Sequence, residues 1–208
     1  MYDLPYYKDN DDQVVRAFIE KHPFAFVSGC DARAKPVATQ VPVFIEERDG
    51  RLVLSGHIMK NTDHHRAFLD NPHVLAVFSG HHSYVSARWY SDPNVPSTWN
   101  YMSVHARGLI RFLDEAGLEA MLQKTSLYFE GGDHESPTVF FNLPPELRHK
   151  LMKAIVAFEV DVTRVDHVFK LSQEKDADSY RNIIDKLMGQ GEDGRAIAAE
   201  MKRRGPPR

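Results

Sequence analysis

The chain has 208 residues, 42% of them hydrophobic and 26% charged, which is enough to build a sizeable core. Its net charge of −3 gives no general attraction to nucleic acid or to an anionic membrane. A single cysteine, Cys30, excludes an intrachain disulfide and a cysteine-rich zinc site. The N-terminal segment MYDLPYYKDNDD lacks the basic and apolar regions of a signal peptide, and no run of about 20 apolar residues predicts a membrane span. We therefore expect a cytoplasmic protein.

Three strands joined by short turns follow a short first helix, which ends at Pro23. Asp49–Gly50 is typical of a hairpin turn, so this part of the sheet is predicted to be antiparallel. Pro42 cannot donate a ladder hydrogen bond and is expected at an edge or a bulge. The three predicted strands are Phe24–Cys30, read as a buried strand, Pro36–Ile45 and Arg51–Ile58.

The rest of the chain predicts four more strands and five helices. Asn61 or Thr62 caps a helix that runs to Leu69, and the last helix is short, charged and peripheral. Because the connections are too short for βαβ units, the pattern favours a closed or nearly closed antiparallel barrel with peripheral helices, an α+β fold that is mainly β. The domain prediction is a barrel in residues 1–170 and a helical C-terminal extension in residues 171–208, packed on or beside it. The strands are expected at His73–Ser79, on both sides of the loop within Ser83–Phe112 and at Ala154–Val162, and the later helices begin near Asp114, Pro145, Asp178 and Arg195.

The stretch Ser83–Phe112 is unusually rich in aromatic and polar side chains. Both tryptophans of the chain, Trp89 and Trp99, lie in it, close to Asn100 and His105. A plain hairpin does not need these side chains, whereas a planar ligand or a closely fitted subunit interface would use them.

The segment Gly56–Thr62 is the candidate for binding an anion. It leaves a strand and enters a helix N-terminus, where free backbone N–H groups and the helix dipole favour negative charge. Lys60 and Arg66 add cationic groups, and no glycine-rich phosphate loop occurs elsewhere. The alternative is an ordinary capped turn with solvated charges.

No metal site or catalytic set is predicted. The histidine pairs His64–His65 and His81–His82 lack cysteines or carboxylates in ligand spacing. Cys30 is interpreted as a core residue, and no serine lies in a nucleophile elbow. The basic tail from Lys202 to the C-terminus is interpreted as a solvated end. DNA binding has weak support, because no helix-turn-helix is visible and the net charge is negative.

Five segments follow one another along nearly the whole chain: Met1–Tyr2, Gly56–His57, YVSARWY (Tyr84 to Tyr90), NVPSTWNYMSVHARG (Asn94 to Gly108) and FKLSQ (Phe169 to Gln173). The most specific part is the run Thr98–Trp99–Asn100–Tyr101, followed by His105 and Gly108. Together the five segments resemble the PaiB-like family of FMN-binding transcriptional regulators.

The resemblance implies a split β-barrel that forms a homodimer and binds FMN at the subunit interface. The run Thr39–Pro42 would line the isoalloxazine ring, and His57 with the Lys60–Thr62 turn would approach the phosphate. A later strand, from the same or the second subunit, would add further contacts. The implied FMN-binding residues are Thr39, Gln40, Val41, Pro42, His57, Lys60, Asn61, Thr62, Trp99, Asn100 and His105.

The implied function is that of a dimeric, FMN-binding negative regulator of transcription. The chain departs from the family pattern near the implied pocket, for example at Gln40–Val41 and at Glu174, so weak or absent FMN binding and another flat anionic ligand are alternatives. A small FMN-dependent oxidoreductase, of the flavin reductase or pyridoxamine phosphate oxidase type, is the alternative function. A module that binds haem or a metabolite through His57 or His105 is the third hypothesis.

Overall fold

A computed structural model describes residues 1–92 and 94–206. This part of the chain forms six strands and six α-helices. The strands are β1 Phe24–Cys30, β2 Pro36–Arg48, β3 Arg51–Met59, β4 His73–Val85, β5 Thr98–Phe112 and β6 Ile155–Lys170. The helices are α1 Asp12–Lys21, α2 Asp63–Asp70, α3 Glu115–Phe129, α4 Pro145–Ala154, α5 Ala177–Leu187 and α6 Gly191–Arg204.

The strands close into a barrel in the order β1–β2–β3–β6–β5–β4, with β4 paired back to β1. Every pair whose register is defined is antiparallel. The predicted antiparallel barrel with peripheral helices is thus confirmed. Pro42 lies one residue beyond the last β2–β3 pair, Val43 with Gly56, where a missing N–H costs no ladder hydrogen bond.

The prediction of about seven strands is wrong by one, because β4 is a single strand from His73 to Val85. The buried positions of β4 change from even numbers, ending at Phe78, to odd numbers, beginning at Ser83. This change of face made one strand look like two in the sequence. After β4, Ala87–Trp89 forms a 3-10 turn in which the Ser86 hydroxyl accepts a hydrogen bond from the Arg88 N–H, so the predicted strand before the loop is absent there.

The described chain divides into two compact units. The barrel unit contains Ile19–Phe78 and His105–Val165. The helical unit contains Met1–Phe18, Ser79–Val104 and the chain from Asp166 onward. The predicted C-terminal extension, residues 171–208, falls in the helical unit, and its last two residues lie outside the described part of the chain.

In the barrel unit, α3 and α4 cover part of the outer surface of the sheet. Phe44 of β2 and Ala157 of β6 pack there against Leu118 and Met121 of α3 and Met152 of α4. Next to this apolar cluster is an ionic one. Its centre is the buried carboxylate of Glu159, which accepts hydrogen bonds from Arg48 (2.6 Å) and from Arg111. Charged partners on β2 and β5 therefore satisfy this buried carboxylate of β6.

In the helical unit, α5 and α6 pack around a core that includes Tyr180, Ile183 and Leu187. The expectation that the last helix is peripheral is wrong. Ile197, Ala198 and Met201 of α6 are at most 2% exposed. Their spacing puts them on one helical face, which the surrounding charged residues conceal in the sequence. None of the helices in the described residues is both long and apolar enough to cross a membrane.

His167, near the end of β6, fastens the N-terminal segment within the helical unit. Its Nε2 atom accepts a hydrogen bond from the Asp9 N–H at 2.7 Å, which requires that nitrogen to carry no proton. Burial lowers the pKa of His167 below its ordinary value, and Lys8 and Arg204 add to this effect, while Asp9 and Asp12 oppose it. The folded protein therefore favours the neutral imidazole.

We expect acidification to destabilise the protein through His167. Because the pKa is lower in the folded than in the unfolded state, this stabilisation is present at higher pH and is lost as the pH falls below about 6.5. The free energy of unfolding, measured at pH 7.5 and pH 5.5, should fall more in the wild type than in His167→Gln, whose amide oxygen accepts the same hydrogen bond without titrating. Equal losses in the two proteins would contradict this assignment.

Candidate functional site

An exposed apolar face is formed where β1, β2 and β3 lie side by side in the barrel unit. Directly paired strand residues point to the same side of a sheet, and Phe24 pairs with Pro42 while Phe26 pairs with Gln40. Phe24 is 61% exposed and Phe26 is 44% exposed. We call Phe24, Phe26, Gln40, Pro42 and His57 the β1–β3 face.

His57 belongs to this face because of the β2–β3 register. The last pair is Val43 with Gly56, so Pro42 and His57 are the next residues on the two strands. The strands are close enough here that a Cβ on Gly56 would lie 2.8 Å from the Pro42 carbonyl oxygen, which explains the glycine. Burial lowers the pKa of His57. The imidazole is therefore neutral at pH 7, and it offers one hydrogen-bond donor and one acceptor rather than a charge.

The predicted ring-binding run Thr39–Pro42 is divided between two sides of the sheet. Gln40 and Pro42 lie on the β1–β3 face. Thr39 and Val41 pair with Val27 and Ala25, which are buried, and therefore point to the opposite side. A ligand lying flat on the β1–β3 face contacts only alternate residues of this run.

The turn from β3 to α2 is tightly built from its own side chains. Thr62 is the N-cap of α2: its hydroxyl accepts from the His65 N–H at 3.2 Å and donates to the Met59 carbonyl at 3.1 Å. The Asp63 carboxylate accepts from the His64 N–H at 2.8 Å. Asn61 adopts a left-handed conformation with φ of 63°. Two of the N–H groups that a helix start leaves free therefore already have partners within the turn.

The charge of this turn comes from its side chains. Burial is the main cause of the lowered pKa of His65, and His64, Lys60 and Arg66 lower it further. His64, Lys60 and Arg66 are thus close enough to His65 to influence it, with Asp63 as the neighbouring carboxylate. We call Lys60, His64, His65 and Arg66 the basic turn. Its side chains, more than the start of α2, are suited to attract an anion.

The remaining predicted residues lie on β5. His105 is half-buried in the barrel unit, whereas Trp99 and Asn100 are in the helical unit. Trp99 is 52% exposed and lies beside Tyr84 and His82, with ring centres 5.8 and 5.9 Å away. These three side chains form an exposed aromatic cluster.

Asn100 is completely buried, and both ends of its amide are used inside the helical unit. Its Oδ1 accepts from the Ser172 hydroxyl at 3.0 Å, and its Nδ2 donates to the Met201 sulfur at 3.6 Å. Lys170 in turn donates to the Thr98 hydroxyl. Two segments that suggested the family, Thr98–Tyr101 and Phe169–Gln173, are therefore joined by hydrogen bonds that shape the protein.

Sequence reasoning missed Phe24 and Phe26 because it interpreted Phe24–Cys30 as a strand buried on both sides. In the structure Ala25 and Val27 face the barrel interior and the two phenylalanines face outward. The alternation of large and small residues in Phe-Ala-Phe-Val-Ser was the available signal, since a strand with one exposed face alternates with a period of two.

The chain belongs to an FMN-binding family. The model of the family described as "Putative FMN-binding domain" matches residues 1–164. Among curated proteins, the chain is 30% identical to "Protease synthase and sporulation protein PAI 2" of Bacillus subtilis over 194 residues, which cover 91% of this chain and 90% of that protein. The PaiB-like resemblance is thereby confirmed, and FMN is the cofactor that membership assigns.

Solved structures show the same split-barrel fold. The flavocytochrome Anf3 of Azotobacter vinelandii is similar with a TM-score of 0.60 at 20% identity, covering 87% of this chain and 78% of that one. The FAD and heme binding protein of Mycobacterium smegmatis also has a TM-score of 0.60, at 16% identity, covering 88% and 80%. At these identities the likeness concerns the fold.

The chemistry of the barrel unit fits FMN. A flat ring needs an apolar surface with a few polar groups, which Phe24, Pro42, Gln40 and His57 supply. A phosphate needs cationic donors, which Lys60 and Arg66 of the basic turn supply. When bound, FMN supplies a redox-active isoalloxazine ring.

We expect Asn100→Leu to lower stability much more than it changes FMN affinity. The substitution leaves the Ser172 hydroxyl without its buried acceptor, which costs about 1–3 kcal/mol. Urea unfolding should report this loss, and an FMN titration of the folded variant should give nearly the wild-type dissociation constant. A large loss of affinity at unchanged stability would instead make Asn100 a cofactor contact.

Proposed function

We propose that this protein is a PaiB-like negative regulator of transcription that acts in the cytoplasm as an FMN-binding homodimer. The observation that carries the proposal is the exposed β1–β3 face, with the basic turn directly after β3. The isoalloxazine ring lies on that face, and the phosphate lies at the turn. Similarity to the Bacillus sporulation protein over nearly the whole chain supports the regulatory role.

Each proposed contact has a physical role. Gln40 and the neutral His57 hydrogen-bond the polar edge of the ring, and Pro42 packs on its plane. Lys60, Asn61 and Thr62 surround the phosphate, with Lys60 providing the charge. Thr39 and Val41 support this strand from its other side. Trp99 and His105, supplied by the second copy, complete the site, whereas Asn100 keeps its structural role and is left out.

The proposed regulation acts through the dimer and a protein partner. Direct DNA contact is not part of the proposal, because the net charge of −3 opposes it. A ligand shifts an equilibrium only when it binds one state more tightly than the other. FMN on the exposed β1–β3 face, at the border between two copies, would favour the dimer and thus present or conceal the surface that the partner recognises.

FMN binding tests the cofactor site directly. We expect the purified protein to bind FMN, followed by the change in flavin absorbance, and Lys60→Met to weaken the affinity about tenfold or more, since a charged hydrogen bond contributes about 1.5–3 kcal/mol. Added salt should weaken the wild type more than the variant. Lys150→Met, on α4, is the matched control and should bind normally. Equal affinities for all three proteins would remove the basic turn from the site.

The alternative, an FMN-dependent oxidoreductase, is favoured by an open cleft of about 640 Å³ beside the β1–β3 face, since a second reactant needs such space. The same FMN-loaded protein decides between the two functions. Rapid bleaching of the flavin by NADH or NADPH would support a reductase, and an unchanged flavin spectrum would exclude that activity.

The homodimer is tested by the exposed phenylalanine of the β1–β3 face. We expect light scattering to give the molar mass of a dimer for the wild type, and a lower mass for Phe24→Ser, because loss of an exposed aromatic side chain weakens an interface only if it is buried there. Phe141→Ser removes a similarly exposed ring, 49% against 61%, and should stay dimeric. FMN should raise the dimer fraction of Phe24→Ser. A monomeric wild type, with and without FMN, would overturn the proposal.

A further inference from the structure

A cleft on the outside of the barrel unit has a lining unlike that of the basic turn. It has a volume of about 640 Å³ and lies over β1, the start of β2 and the neighbouring parts of β4, β5 and β6. Small-molecule sites commonly have volumes of about 300–1,000 Å³. We call it the Arg107 cleft. Phe26 is shared between this cleft and the β1–β3 face, whereas Gln40, Pro42, His57 and the basic turn do not line it.

The floor of the Arg107 cleft is flat because of strand pairing. Ser28 pairs with Ala38 on one side and with Leu75 on the other, so the three side chains point outward together. Phe26, two residues before Ser28 on the same face of β1, rises at one end of this row. Small residues in the middle and larger apolar ones at the borders leave room for a flat ring that lies on the strands and packs against the Phe26 side chain.

The cleft is lined by one guanidinium group, that of Arg107. Its polar lining includes Arg107 and His73 together with the hydroxyl-bearing Ser28 and Thr163, and no aspartate or glutamate occurs among the described residues that line it. The Thr163 hydroxyl donates to the Arg107 carbonyl at 3.2 Å, which ties β6 to β5 below the Arg107 side chain. A guanidinium group next to apolar surface selects a carboxylate or sulfonate attached to an apolar body.

We propose that the Arg107 cleft binds a planar aromatic anion such as an aromatic carboxylate. Phe26 pairs with Gln40, so the cleft and the β1–β3 face meet at one side chain. The bound anion therefore lies next to the flavin site and acts as its effector or second reactant. That role rests on the proposed function, whereas binding of the anion does not.

The test uses 2-naphthoate as the probe and the neutral 2-naphthalenemethanol, which has the same ring system, as its comparison. Binding to the full-length protein without FMN is measured by fluorescence titration. We expect naphthoate to bind at least about tenfold more tightly than the alcohol, the difference expected for a charge-assisted hydrogen bond. Ala38→Trp, which fills the floor of the cleft, and Arg107→Met should each weaken naphthoate binding about tenfold or more.

Arg51→Met, an exposed arginine on β3, is the matched control and should bind naphthoate like the wild type. If Arg107→Met does not fold, the binding of naphthoate to Ala38→Trp and the comparison of naphthoate with 2-naphthalenemethanol still test the proposal. Equal affinity for the acid and the alcohol, or binding that Ala38→Trp leaves unchanged, would overturn the proposal. The proposal would also be overturned if naphthoate did not bind the wild type and Ala38→Trp changed the molar mass, because a second copy would then cover the cleft.

Titration with FMN, carried out separately, distinguishes the two proposals. Naphthoate binding without FMN binding would contradict the proposed function and leave the Arg107 cleft intact. FMN binding without naphthoate binding would do the reverse. If both bind, saturation with naphthoate should shift the FMN dissociation constant or the flavin spectrum, and the absence of any shift would contradict the role as effector or second reactant.

Discussion

The end of the β2–β3 ladder is the constraint on which the proposed site depends. Pro42 has no N–H to continue the ladder, and Gly56 allows the Pro42 carbonyl to approach closely. Pairing therefore stops after Val43 with Gly56. The registers of β2 against β1 and β3 decide that Gln40, Pro42 and His57 share one face while Thr39 and Val41 point away. A slip of one residue would reverse all of these directions.

Two kinds of environment lie next to each other at this end of the barrel unit. On β3, burial keeps His57 neutral, so it contributes hydrogen-bonding groups without a charge. In the turn that follows, Lys60, His64 and Arg66 lie close enough to His65 to lower its pKa, and the Asp63 carboxylate accepts a hydrogen bond from the His64 N–H. A ligand with a neutral ring and an anionic end matches this order. FMN is such a ligand, which is why family membership and the local chemistry agree.

The helical unit shows that a recognisable sequence pattern need not contact a ligand. Asn100 and Ser172 are buried and bonded to each other, and Gln173 holds the turn after β6 by bonding to the Phe169 carbonyl. These residues belong to the segments that suggested the family. Their role is to shape the backbone around Trp99, whose ring remains exposed beside Tyr84. An exposed side chain and a buried structural one are thus adjacent residues of one strand.

Local signals in the sequence, namely turn residues, alternation and capping, were enough to predict the antiparallel barrel and a cap of α2 at Asn61 or Thr62. Five sequence segments were enough to recognise the family. The same resemblance predicts Gln40, Pro42, His57 and the turn Lys60–Thr62 as ligand contacts, and these contacts stay predictions. The sequence could not show which of these residues share a face, because strand register depends on pairing between distant segments. For the same reason the exposed Phe24 and Phe26, the single long β4, the buried face of α6 and the internal role of Asn100 could not be read from the sequence: each is set by what packs against it.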